Sequence, residues 1–158
     1  MINLPMSELV VIINDVINKD GEFRLYPKGT SMLPLIVQGE DSVVLVKPSL
    51  LLVGDIVLYK RKNGSFILHR IVKINGNDLV ICGDNQTTLE YGITKDDVIA
   101  KVSAIYKKDV LINGNVGNKR FYLFSLKLKR IFLPIALKIK RVLKNPSLIW
   151  RKIKGEKH

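Results

Sequence analysis

The chain is poor in the residues that disulfide frameworks and metal centres need. It has a single cysteine, Cys82, and two histidines, His69 and His158. One thiol cannot close an internal disulfide, and zinc draws several Cys or His ligands at short spacings, so neither a metal nor any other cofactor is expected. Glycine-rich phosphate loops and dinucleotide fingerprints are missing as well. So are long apolar runs. Residues 1–20 interrupt their apolar positions with Glu8, Asp15, Lys19 and Asp20, and no basic start precedes a clean apolar core. Further on, the longest charge-free apolar run of the C-terminal region, Ile131 to Leu137, has 7 residues, against the roughly 20 that span a bilayer. No signal peptide or transmembrane helix is read here, and the expected location is the cytoplasm.

What is present is unevenly spread. The 158 residues carry 26 Lys and Arg against 14 Asp and Glu, a net charge of +12. Residues 1–118 hold 13 basic and 13 acidic residues; residues 119–158 hold the other 13 basic residues and one acid, Glu156. A uniformly basic domain would suggest nucleic acid, but here a neutral domain, residues 1–118, precedes a basic tail, residues 119–158. On a helical wheel from Lys119 to Lys144 the 9 basic residues fall on one half. Phe121, Phe124, Leu128, Ile131, Phe132 and Ile135 fall on the other. That pattern predicts a basic amphipathic helix, interrupted at Pro134. Its broad aromatic and aliphatic face suits an anionic membrane surface better than nucleic acid, so residues 119–144 are expected to hold the protein peripherally at the membrane.

The neutral part is mainly β. One short helix is predicted over Ser7 to Ile17, where Leu9, Val10, Ile13, Val16 and Ile17 recur at helical spacing and Ser7 can cap. From Glu22 onward the chain breaks into short β-like runs. Phe23–Tyr26, Ser42–Val46, Asp55–Lys60, Phe66–Ile74, Leu79–Cys82, Val98–Tyr106 and Val110–Ile112 all qualify. Asn63-Gly64 and Asn75-Gly76 are hairpin turns, because both residue types accept the positive φ a tight turn requires. A compact antiparallel sheet or partly closed barrel follows.

Hydrolytic chemistry needs a nucleophile, a base and a group that orients the base. His158 is the last residue, which leaves His69, within Phe66-Ile-Leu-His-Arg-Ile-Val-Lys-Ile74, as the candidate imidazole base. On composition alone it is also an ordinary strand histidine. Ser31 lies in Lys28-Gly-Thr-Ser-Met-Leu-Pro34, where Gly29 permits a tight turn and Pro34 delays any helix; on composition alone it is a turn serine. Asp84, in Cys82-Gly-Asp-Asn-Gln86, could accept the second ring proton of His69 or could hydrogen-bond its own turn.

Taken together, four segments resemble the ordered boxes of the type I signal peptidase family. They are Gly29-Thr-Ser-Met-Leu-Pro34, Gly54-Asp-Ile-Val-Leu-Tyr59, Leu68-His-Arg-Ile-Val72 and Gly83-Asp-Asn85. The similarity covers residues 22–106, with 38 residues from Ser31 to His69 and 15 more to Asp84. Because His69 stands at the base position and Arg70 follows it, the chain resembles the histidine branch of that family rather than the lysine branch that includes the self-cleaving repressors. The small, anchorless Gram-positive forms are the nearest in pattern.

The resemblance implies the antiparallel β-fold of signal peptidases and repressors and a serine endopeptidase acting on a protein or peptide precursor. Ser31 would attack the scissile carbonyl, His69 would take its proton, and the Ser31 main-chain N–H would hold the oxyanion. Gly29, Thr30 and Met32 would flank the substrate. In the histidine branch the third member is an acid just beyond the Gly-Asp-Asn turn. Glu90 is the acid nearest that place, so Asp84 and Glu90 both stand as the orienting group, with Asp84 ranked first. A histidine base implies activity that falls on the acid side. A non-catalytic module that keeps the peptide groove is the alternative.

Overall fold

The structure, a computed structural model, describes residues 4–112. The expected domain boundary at residue 118 and the amphipathic helix over 119–144 lie outside the described residues.

Helix α1 spans Met6–Asn18 and buries Val10, Ile13 and Ile17 on one face. It starts one residue before the expected cap. Pro5 takes the cap position with φ −61°, and no side chain caps the helix. The Pro5 carbonyl accepts from Glu8 and Leu9 N–H at 3.1 Å each, so a residue with fixed φ and no donor of its own opens the helix in place of Ser7.

The strands are β1 (Phe23–Leu25), β2 (Asp41–Val46), β3 (Ile56–Lys60), β4 (Phe66–Asn75), β5 (Asp78–Cys82), β6 (Glu90–Thr94), β7 (Val98–Lys107) and β8 (Val110–Ile112). They form one 8-stranded sheet in the order β1-β2-β7-β3-β4-β5-β6, with β8 against β7. Every pairing is antiparallel. The mainly β, antiparallel architecture with one short α-helix is as the sequence predicts. Strand β6 is the exception. Its Glu-Tyr-Gly-Ile-Thr sequence buries one residue, Ile93, and places Gly92 at φ +75°, so no alternating apolar signal marks it.

Two apolar clusters share the sheet. Ile56 and Leu58 of β3 pack with Ile13, Ile17, Met32, Ile36, Leu45 and Ile105, while Val57 and Tyr59 pack with Ile71, Leu79, Ile81 and Ile93. Successive side chains of a strand leave on opposite faces, so β3 feeds both clusters and is buried on each side. That central strand, with β4 beside it, carries the residues of the site.

Candidate active site

Ser31 sits in a run of turns between β1 and β2. Gly29 has φ +101°, a left-handed conformation at which a Cβ is strained, and the Leu33–Pro34 bond is cis. The Gly29 N–H donates to the Gln38 side-chain oxygen, and Ile36 N–H to the Met32 carbonyl at 2.9 Å. Met32 is buried in the cluster under α1, which fixes the loop from below and leaves Thr30 exposed and Ser31 half-buried. Among the described residues, none accepts from the Ser31 N–H.

The Gly83-Asp84-Asn85 turn leaves the end of β5 and grips this loop. Asn85 N–H donates to the Ser31 carbonyl at 2.7 Å, and the Asn85 side-chain amide donates to the Thr30 carbonyl at 3.1 Å. Gly83 is required for a different reason. A Cβ there would sit 2.8 Å from the Ser31 carbonyl oxygen and 2.9 Å from His69 Nε2. The hydrogen of glycine is therefore what lets the Ser31 backbone and the His69 ring edge close around the same small volume. Of the residues expected in the site, the Ser31 main chain and the His69 ring edge are brought to either side of Gly83, with Gly29, Thr30 and Met32 in the supporting loop.

His69 lies on β4 opposite Val57 of β3 and is 2% exposed. Tyr59 is the diagonal neighbour on the same face, a separation that aromatic side chains bridge. Its hydroxyl lies 3.3 Å from His69 Nδ1 and donates to Glu90 Oε2 at 2.7 Å. Arg61 closes the far side, its Nε and Nη2 each 2.6 Å from a Glu90 carboxylate oxygen. Burial lowers the His69 pKa from 6.5 to about 4; the Glu90 and Asp84 carboxylates oppose this, and Arg61 adds to it. For Glu90, burial opposes ionisation, but the hydrogen bonds from Arg61 and Tyr59 outweigh it and hold the carboxyl below its usual range. Burial and Glu90 push the Tyr59 phenol up, so it stays protonated.

Asp84 faces elsewhere. Its two oxygens accept from Arg70 Nε at 3.1 Å and Nη2 at 2.9 Å, in a pair whose side chains are 0% and 1% exposed. Arg70 Nη1 also donates to the Gly54 carbonyl at 2.7 Å. Arg70 thus ties the approach to β3 to the Gly-Asp-Asn turn. Asp84 holds the scaffold through Arg70, and its influence on His69 is electrostatic. Glu90 reaches the imidazole through Tyr59. Sequence reasoning assigned no role to Tyr59 or Arg61. Tyr59 does close the Gly54–Tyr59 segment that carries part of the resemblance, whereas Arg61 bears no local signal.

A cleft opens beside Ser31, lined by Pro27, Gly29, Met32, Phe66 and Leu68. One of its walls is an open strand edge. Ile71 exchanges main-chain bonds with Gly54 and Asp55 on the β3 side, and the ladder alternates. Phe66 and Leu68 therefore turn their N–H and C=O away from β3. Pairing with β5 begins only at Arg70, so these groups face the cleft with no ladder partner among the described residues.

Among the described residues, no group of three or more His, Cys, Asp or Glu could hold a metal ion, and no helix is long and apolar enough to cross a membrane. No protein-family model, curated protein or solved structure matches this chain.

Proposed function

We propose that the protein is a serine endopeptidase of the signal-peptidase kind, with Ser31 as nucleophile and His69 as general base, acting on an extended protein or peptide precursor. The observation that carries this reading is the position at Gly83, within 2.9 Å of both the Ser31 main chain and His69 Nε2. A base must stand close to the serine it serves, and three separate segments of the chain bring the Ser31 main chain and the His69 ring edge to one place. His69 takes the Ser31 proton, Ser31 Oγ bonds to the scissile carbonyl carbon, and the vacant Ser31 N–H meets the developing oxyanion. The proton then passes from His69 to the leaving amine, and water, with His69 as base again, hydrolyses the ester to regenerate Ser31.

The substrate enters as an added strand. Phe66 and Leu68 offer it main-chain hydrogen bonds along the cleft wall, and the apolar lining receives the side chains before the cut. Residues 119–144 hold the enzyme on anionic lipid, next to precursors awaiting export. The test is mass spectrometry of a mixed peptide pool incubated with the full-length protein. New C-termini ending in apolar residues are expected, none of them formed by Ser31→Ala. A pool that emerges uncut, or that Ser31→Ala cuts equally, rejects the reading.

A further inference from the structure

We infer that Tyr59 is a positioning residue, relaying Glu90 to His69 Nδ1 and so fixing the imidazole as the tautomer whose Nε2 lone pair faces the Ser31 loop. The inference rests on the reading of His69 as base.

A phenol has one hydrogen to give. At 2.7 Å that hydrogen goes to Glu90, so toward His69 the oxygen is an acceptor, and the hydrogen between Oη and Nδ1 belongs to the ring. The 3.3 Å separation is long for such a bond. It is nevertheless the one hydrogen bond to either ring nitrogen among the described residues, and a neutral imidazole carries one hydrogen. With Nδ1 protonated, Nε2 is bare, and Nε2 is the ring atom at Gly83, whose other neighbour is the Ser31 carbonyl oxygen. A base needs that arrangement, since a hydrogen on Nε2 would leave nothing to accept the serine proton.

Arg61 gives the relay a second property. Four groups act on His69 from the elements around it: Tyr59 on β3, Arg61 just beyond β3, Glu90 on β6 and Asp84 after β5. Asp84 is engaged by Arg70 and Glu90 by Arg61. Both carboxylates are thus partly neutralised before their field reaches the ring, and Glu90 is held one phenol away. An acid in direct contact would favour the imidazolium. The relay orients the ring, while burial, with Arg61 adding to it, keeps the ring neutral into acid, in keeping with a pKa of about 4.

Nitrogen-15 NMR of the histidine rings of the full-length protein tests this without a substrate, His69→Gln assigning the signals. At pH 7 wild-type His69 should be the Nδ1–H tautomer, titrating near pH 4. Tyr59→Phe keeps the buried ring but removes the acceptor, and the Nε2–H form should rise to a substantial share. Glu90→Gln retains an acceptor for the phenol, so the tautomer should hold while the midpoint falls. Arg61→Gln should raise the midpoint by about one pH unit. A tautomer unchanged in Tyr59→Phe, or an Arg61→Gln midpoint that stays or falls, overturns the inference. Should Tyr59→Phe fail to fold, Glu90→Gln and Arg61→Gln decide it. The inference and the peptidase reading fail separately: a chain with this titration that cuts no peptide loses the peptidase reading and keeps the relay. A chain that cuts while Tyr59→Phe leaves the tautomer untouched loses the relay alone.

Discussion

His69 and Arg70 are consecutive on β4, and both are almost fully buried, at 2% and 0% exposure. The strand alternation sends them to opposite faces, so one strand supplies a buried imidazole on one side and a scaffold ion pair on the other. Burying a guanidinium is tolerable because both Asp84 oxygens and the Gly54 carbonyl receive it. Asp84→Ala leaves that charge uncompensated and should cost about 3–5 kcal/mol in urea denaturation; a loss under about 1 kcal/mol would contradict the assignment. His69 contributes a pH dependence of defined sign. Its folded pKa, about 4, lies below the ordinary 6.5, so the unfolded chain binds the proton first as the medium acidifies. Stability should fall between pH 6.5 and pH 4, by an amount of order 3 kcal/mol, and this contribution should flatten below. In His69→Gln that component of the slope should vanish. If His69 is the base proposed above, the same shift should place the acid limb of peptide cleavage near pH 4, well below where a free imidazole would set it.

At the scale of elements, β3 and β4 were legible because their residues are β-branched or aromatic and because Asn63-Gly64 and Asn75-Gly76 mark the hairpin turns with Gly64 at φ +86° and Gly76 at φ +57°. Strand β6 was not, since Gly92 and a single buried side chain give it no period, and β5 rather than its own sequence holds it in the sheet. The helix start was misplaced because Ser7 has the chemistry of a cap, whereas Pro5 fits the geometry. In the site, Ser31, His69 and Asp84 stood out through the four segments of the resemblance taken together, and Glu90 by its place beyond the Gly-Asp-Asn turn. Tyr59 and Arg61 did not, because what links them to His69 is a diagonal across two strands and a carboxylate brought in by β6. That link exists only in three dimensions. The open edge of β4 makes its own prediction. A substrate peptide N-methylated at the amide that meets Leu68 should bind about tenfold more weakly, the loss of one main-chain hydrogen bond, while methylation at the adjacent amide should matter less. Equal losses at both would argue against strand addition.

The whole molecule divides by charge, a balanced first part and a tail holding 13 of its 26 basic residues. If that tail holds the enzyme on anionic lipid, the full-length protein should co-sediment with anionic vesicles, release as salt rises, and ignore zwitterionic ones. Replacing Lys127, Lys129 and Arg130 with Glu should abolish sedimentation without changing cleavage of a short soluble peptide. Sedimentation that is independent of salt would reject charge as the attraction.

Serine peptidase chemistry requires a covalent bond to form at Ser31. Hydrolysis of an acyl-enzyme needs His69 unprotonated, so an acid quench below pH 4 during turnover should trap the ester. Intact-protein mass spectrometry should then show an adduct equal to the acyl half of the peptide, mapping after digestion to the Gly29–Pro34 segment and missing from Ser31→Ala. Product formed in the same samples with no such adduct, or an adduct that persists in Ser31→Ala, would rule out Ser31 as the nucleophile.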